Sequence, residues 1–272
     1  MSSLPELPVD WEPTRATLHA YAKAVGVLPR AFAVFHPKWW HISLKVRPDG
    51  LVTEPMPLPD GGTAFVRMDL RTHRAIVESS HGDRVEFPLD AGTTATDLGD
   101  ALVAAVAELG LAGEVDRAKY DDDERRVYDA TAAAAYFDLV QVVDTVFTRH
   151  RNTLEGVVGP IQLWPHGFDL AFEWFGTRVE TYEEDGETGE YPSQLNLGFY
   201  PAGDAYFYSN PWPFERDRLV GRALPAPARW HTEGWEGTIL PYDEIRADPD
   251  ATDTLLAFAR AVHEIAAPTL MA

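Results

Sequence analysis

Along this chain the spacing of apolar residues switches repeatedly between a helical period and a period of two, and that switching limits the fold more than any single motif. Thr14 to about Val27 carries Leu18, Ala22 and Val25 at helical spacing, and Pro29 predicts its end. From Trp39 to Val46 the period drops to two, and it does so again over 63–70 through Ala64, Val66, Met68 and Leu70. Two short strands are expected at 74–79 and 84–88, across the turn Ser79-Ser80-His81-Gly82. Thr94–Leu109 returns to helix, with Leu98, Leu102, Ala105, Val106 and Leu109 on one stripe and Gly110 as its stop. A longer helix is expected from about Asp129 to Leu154, with Tyr136, Val140, Val143, Phe147 and Leu154 facing inward. A second strand-rich stretch covers 161–164, 168–175, 194–200 and 205–209, with PAGD (201–204) as a hairpin turn. A proline- and arginine-rich excursion (211–235) leads to a last strand near Thr238–Leu240. The last helix, Ala251–Ala266, is buried through Leu255, Ala259, Val262 and Ala266, with Asp248, Pro249 and Asp250 suited to its first turn.

This order predicts an α+β protein: two mostly antiparallel β-sheets with flanking helices, in one compact unit over 1–272. The element order repeats, so 14–110 and 129–266 are candidate pseudo-repeats of a helix–four-strand–helix unit. The chain has no cysteine, which excludes disulfides, thiolate metal sites and a cysteine nucleophile together. No signal-like or long uncharged apolar run stands out, so a soluble, cytoplasmic protein is expected. A net charge of −20 argues against nucleic acid or anionic membrane as a partner, and its acidity is foremost a solubility feature. Most of its 23 basic residues are arginine, and the lysines are only Lys23, Lys38, Lys45 and Lys119. With the alanine richness, this suggests a GC-rich bacterial source.

Motif grammar is sparse. PDGG (59–62) is turn chemistry without the strand and helix of a phosphate loop, and the acidic run 121–124 lacks the spaced ligands of a calcium loop. Nucleophile-elbow, dinucleotide, kinase and HExxH signatures are absent. Several stretches nevertheless resemble one uncharacterised bacterial family, a domain of unknown function (DUF5996), over most of the chain. They are ATLHAYAKAVG (16–26), WWHISLKV (39–46) with GLVT (50–53), GFDLAFEWFGTR (167–178), GFYPAG (198–203) and ILPYDEIR (239–246). Where the family pattern has Asn-His before Trp-Trp-His, this chain has Pro37-Lys38; where it has His-Glu before the Gly-Phe strand, this chain has Ser193-Gln194-Leu195. The resemblance implies an architecture and no substrate.

Strand parity sorts the aromatic stretch HPKWWHIS (36–43). As a strand, 39–46 puts Trp40, Ile42, Leu44 and Val46 on a core face and Trp39, His41, Ser43 and Lys45 on the other. His36, beyond Pro37, falls outside it. Over 168–175, Asp169 and Glu173 share a face but lie roughly 13 Å apart, too far for a glycosidase-like pair. If the sheets converge, Trp39, His41, Trp164, His166, Asp169, Tyr206 and Tyr208 line one aromatic pocket, with His41 and Asp169 as catalytic or anchoring candidates. Otherwise they form an ordinary aromatic core. His150 falls near the core stripe of its helix and reads as a satisfied core residue. No metal or cofactor is expected; His41, His166 and Asp169 are the distant trio that could make a metal site. Three readings follow: a small-molecule-binding protein or enzyme; an interaction module or homodimer using exposed Trp212, Trp230 and Trp235; and a metal-dependent hydrolase.

Overall fold

The helical and alternating runs become helices and strands in nearly the expected order in the computed structural model, which describes residues 2–184 and 187–272. Helix α1 (Glu12–Phe32) is followed by a 3₁₀ turn (Trp40–Ile42) and by β1 (Leu44–Arg47) and β2 (Gly50–Thr53). Next come β3 (Met56–Pro57), β4 (Thr63–Asp69), β5 (Arg74–Ser79) and β6 (Arg84–Pro88). Helix α2 (Ala95–Glu108), a second 3₁₀ turn (Arg117–Lys119) and α3 (Ala130–Arg151) occupy the middle of the chain. They precede β7 (Val157–Val158), β8 (Gln162–Trp164), β9 (Asp169–Glu184) and β10 (Glu187–Tyr200). The remainder comprises β11 (Tyr206–Ser209), β12 (Pro211–Trp212), α4 (Arg216–Leu219), β13 (Arg229–His231), β14 (Gly237–Pro241), α5 (Tyr242–Ile245) and α6 (Ala251–Ala266).

The chain divides into two compact units. An N-terminal unit takes Pro5–Gln141 and returns for Gln162–Asp169; a C-terminal unit takes Val142–Ile161 and Leu170–Ala272, with the residues before Pro5. In the N-terminal unit β1 pairs with β2 and β8, β2 with β4, β4 with β3 and β5, and β5 with β6, all antiparallel. Leu18, Ala22, Val25 and Leu28 of α1, Leu98, Leu102 and Val106 of α2, and Leu44, Leu51, Val66, Met68 and Val77 of the strands are buried. Each of the leucine, valine and methionine side chains contributes on the order of 1.5–3 kcal/mol by leaving water. In the C-terminal unit β9 and β10 form a long hairpin, β10 carries β11 and β12, and β14 joins β11 to β13. Its core holds Phe147, Phe172, Phe199, Phe207 and Phe258. The chain is therefore α+β, with antiparallel pairing throughout.

Local chemistry explains the element ends. Thr94 and Asp97 form a capping box at α2: the Thr94 hydroxyl accepts from the Asp97 amide at 3.0 Å and the Asp97 carboxylate from the Thr94 amide at 3.3 Å. Gly110 stops this helix at φ +91°, a backbone conformation open to glycine. Pro29 does not end α1, which runs on to Phe32, because only its own amide is missing and its carbonyl still accepts from Ala33 at 3.0 Å. At α6 it is the Asp248 carboxylate that accepts from the Asp250 amide at 2.8 Å, while Asp250 caps without a side-chain bond. The β9–β10 hairpin outruns the expected 168–175 and 194–200, since exposed Val179, Tyr182 and Tyr191 on its outer part leave no apolar alternation to read. Among the described residues α3 alone is long and apolar enough to cross a membrane, and 50% of its most apolar window is buried in the protein, as in a core helix.

Candidate functional site

The stretch HPKWWHIS is not the start of a strand. Its backbone turns at Trp39, which takes a left-handed φ of +58°, and Trp40–Ile42 coil into the 3₁₀ turn before β1 opens at Leu44. Hydrogen bonds from the Trp39 amide to the His36 carbonyl (2.8 Å) and from the Ile42 amide to the Trp39 carbonyl (3.2 Å) hold it. Two ring stacks interleave there: His36 on Trp40 at 4.3 Å and Trp39 on His41 at 5.5 Å, with Phe35 edge-on to both Trp39 and His41. Trp39 and His41 do share a side, by stacking rather than by strand parity, and His36 belongs to the cluster after all. The His36 amide donates to His41 Nδ1 at 3.3 Å. Burial, then the charge of Arg30, holds the His41 pKa below the ordinary histidine value. Beneath the turn, buried Lys45 Nζ donates to Gln162 Oε1 (2.6 Å) and Ser43 Oγ (2.8 Å), tying the turn to β1 and β8.

Beside this turn lies a cleft of about 190 Å³, lined by Lys23, Gly26, Val27, Arg30, Ile42, Lys119, Pro165 and His166. Lys23, Gly26, Val27 and Arg30 follow one another at helical spacing, so α1 presents them as one stripe. Gly26 lets the opposite wall approach: a Cβ there would stand 2.8 Å from both Cβ and Cγ of Pro165. That wall is the turn 164–168, closed by a 2.7 Å bond from the Phe168 amide to the Trp164 carbonyl, with Phe168 at φ +58°. His19 braces it: Nε2 lies 3.0 Å from the His166 carbonyl and the ring stacks on Phe168 at 5.6 Å. The carbonyl can only accept and Arg15, 3.5 Å from Nδ1, can only donate, which assigns His19 as the neutral Nε2–H tautomer. Burial first, then the charge of Lys23, lowers its pKa to about 4.

Among the described residues no acidic side chain lines this cleft. Arg30 sits 5.0 Å over the Trp39 ring, and Lys119 reaches Asp116 at 3.5 Å, outside the lining. A second concavity of the N-terminal unit, about 460 Å³ around β1, β2 and β4, is built the other way. There Lys45 meets Glu54 at 3.3 Å, and Arg67 meets Asp49 at 3.0 Å and Glu78 at 2.9 Å.

Of the sequence candidates, His166 lines the cleft, Trp164 packs against His166 at 5.6 Å, and Trp39 and His41 adjoin it through Arg30. Asp169 ends the N-terminal unit, where its charge adds to burial in raising the Tyr136 pKa. Tyr206 and Tyr208 belong to the C-terminal unit and pack on Trp235 at 6.3 and 6.2 Å. Trp212, Trp230 and Trp235 are half-buried rather than exposed; Trp230, for one, donates to the Arg222 carbonyl at 2.9 Å and packs on Phe214. His150 is buried but not satisfied: among the described residues its Nδ1 has no hydrogen-bond partner, nor has Nε2 of His263, whose ring lies 6.0 Å away. Among the described residues no three His, Asp or Glu side chains gather as metal ligands would. Sequence reasoning missed Lys23, Arg30 and Lys119. The available signal was the scarcity of lysine: all four stand in the N-terminal unit, two lining the cleft and two in or under the aromatic turn.

The model of a family of unknown function, DUF5996, matches residues 4–271, nearly the whole chain. No curated protein and no solved structure matches it.

Proposed function

The chain belongs to that family of unknown function, and from this premise we propose that it is a small-molecule-binding protein whose cleft beside α1 takes an anion. One observation carries the reading: Lys23, Arg30 and Lys119 line one concave site with no acidic residue beside them in the lining among the described residues, in a chain of net charge −20. Like charges gathered in one concave site repel one another, the more so where the walls displace water. With 43 acidic residues against 23 basic ones, carboxylates are plentiful, and the neighbouring groove uses them. Lys119 meets Asp116 at 3.5 Å and Lys23 acts on Asp122, but neither carboxylate is in the lining, and an anion supplied from outside would complete that concave face. The overall negative charge also makes an extended polyanion a poor ligand, whereas a small anion reaches the local field alone.

Calorimetric titration with inorganic phosphate at low ionic strength tests this. Millimolar or tighter binding that weakens with salt, and is lost in Lys23→Gln/Lys119→Gln, is the expected result. Absence of binding to the natural chain, or binding indifferent to the double substitution, overturns the reading.

A further inference from the structure

Resting on that anion reading, we propose that the ligand is a flat ring bearing a phosphate, with the phosphate held by Lys23, Lys119 and Arg30 and the ring lying against Trp39 and Phe35. The cleft is too small for a whole ligand: about 190 Å³ compares with roughly 300 Å³ or more for sites that enclose one. It suits a head group whose remainder continues outside. Arg30 fixes the direction of that remainder, because it lines the cleft and also places its guanidinium 5.0 Å from the Trp39 ring centre. A ligand leaving the cleft past Arg30 meets an exposed aromatic surface at once. Trp39 is 46% exposed and Phe35 63%, and the two rings meet edge to face at 5.7 Å. They are held rather than loose: Trp39 is stacked on buried His41 and fixed by its left-handed backbone, a conformation that tends to mark working sites. Aromatic faces of this kind bind flat rings by stacking, and a guanidinium does the same. Phosphate fits the head group better than a single carboxylate, since three cations match a dianion and lysine and arginine are the side chains that bind it.

The experiment compares inorganic phosphate with phenyl phosphate by calorimetry on the natural chain, Trp39→Leu, Phe35→Ala and Lys23→Gln/Lys119→Gln. Phenyl phosphate is expected to bind about tenfold or more tightly than phosphate, and that ratio to fall toward one in Trp39→Leu or Phe35→Ala. Phe35→Ala keeps the test valid if Trp39→Leu fails to fold. A ratio near one in the natural chain, with phosphate binding still dependent on Lys23 and Lys119, overturns the ring and leaves the anion site standing. A ratio of ten that survives both aromatic substitutions also overturns it, placing the ring elsewhere. If neither compound binds, both readings fall.

Discussion

Two basic concavities of the N-terminal unit treat charge in opposite ways. In the groove around β1, β2 and β4, Arg67 forks onto Glu78 with three hydrogen bonds of 2.9–3.1 Å and also meets Asp49, while Lys45 meets Glu54. In the cleft beside α1, among the described residues, no carboxylate joins Lys23, Arg30 and Lys119 in the lining, and Asp116 meets Lys119 from outside it. Charge that serves the fold is neutralised within the fold, so removing it costs stability. Charge kept for a ligand contributes little to folding, so removing it costs binding. His150, buried beside half-buried His263, is a third case: its Nδ1 and the Nε2 of His263 are buried atoms without a hydrogen-bond partner among the described residues.

The largest effect is expected where charge is structural. Arg67→Met leaves buried Asp69 without that cation and Glu78 with Arg84 alone, and chemical unfolding should show a loss of about 3 kcal/mol. Phosphate affinity should stay within twofold; a large drop in affinity without a drop in stability would erase the distinction between the two sites.

Acid should expose the third case with an effect of similar or slightly smaller size. Burial lowers His150 from 6.5 to about 4 and also lowers His263, so the unfolded chain binds protons that the folded chain refuses. Stability is therefore full above pH 6.5 and falls as pH drops toward 4, by on the order of 2–3 kcal/mol from His150. His150→Leu should flatten that fall in urea titrations across this window. An unchanged slope in the variant would show that His150 is not held neutral.

Lys23→Glu should reverse the pattern of Arg67→Met. Phosphate binding is expected to weaken tenfold or more, with unfolding stability changed by less than about 0.5 kcal/mol, the range usual for surface substitutions. Gly26→Ala is the finest probe. A methyl 2.8 Å from Pro165 must push the 164–168 turn outward, while alanine gains up to about 1 kcal/mol in the helix. Stability should barely move and phosphate affinity should fall several-fold; equal affinity in calorimetry would separate the turn's position from the site.

The sequence by itself determined the elements whose causes are local. The strands expected at 74–79 and 84–88 and the helix Ala251–Ala266 form over those residues, and α2 starts at its capping box and stops at Gly110. Those signals lie within a few residues of one another, so periodicity and capping chemistry suffice. In HPKWWHIS the alternation was genuine but the conclusion was not, because four aromatic or imidazole rings can pair by stacking only if the backbone turns at Trp39. Nor was the cleft legible. Lys23 and Arg30 announce one helical stripe, but His19 and the His166 carbonyl that it braces are 147 residues apart. Only the packing of Pro165 against Gly26 brings that wall to Lys23 and Arg30. A period is a property of neighbours along the chain. A site assembled from distant segments exists only where their backbones can approach, and that was decided by the tertiary structure.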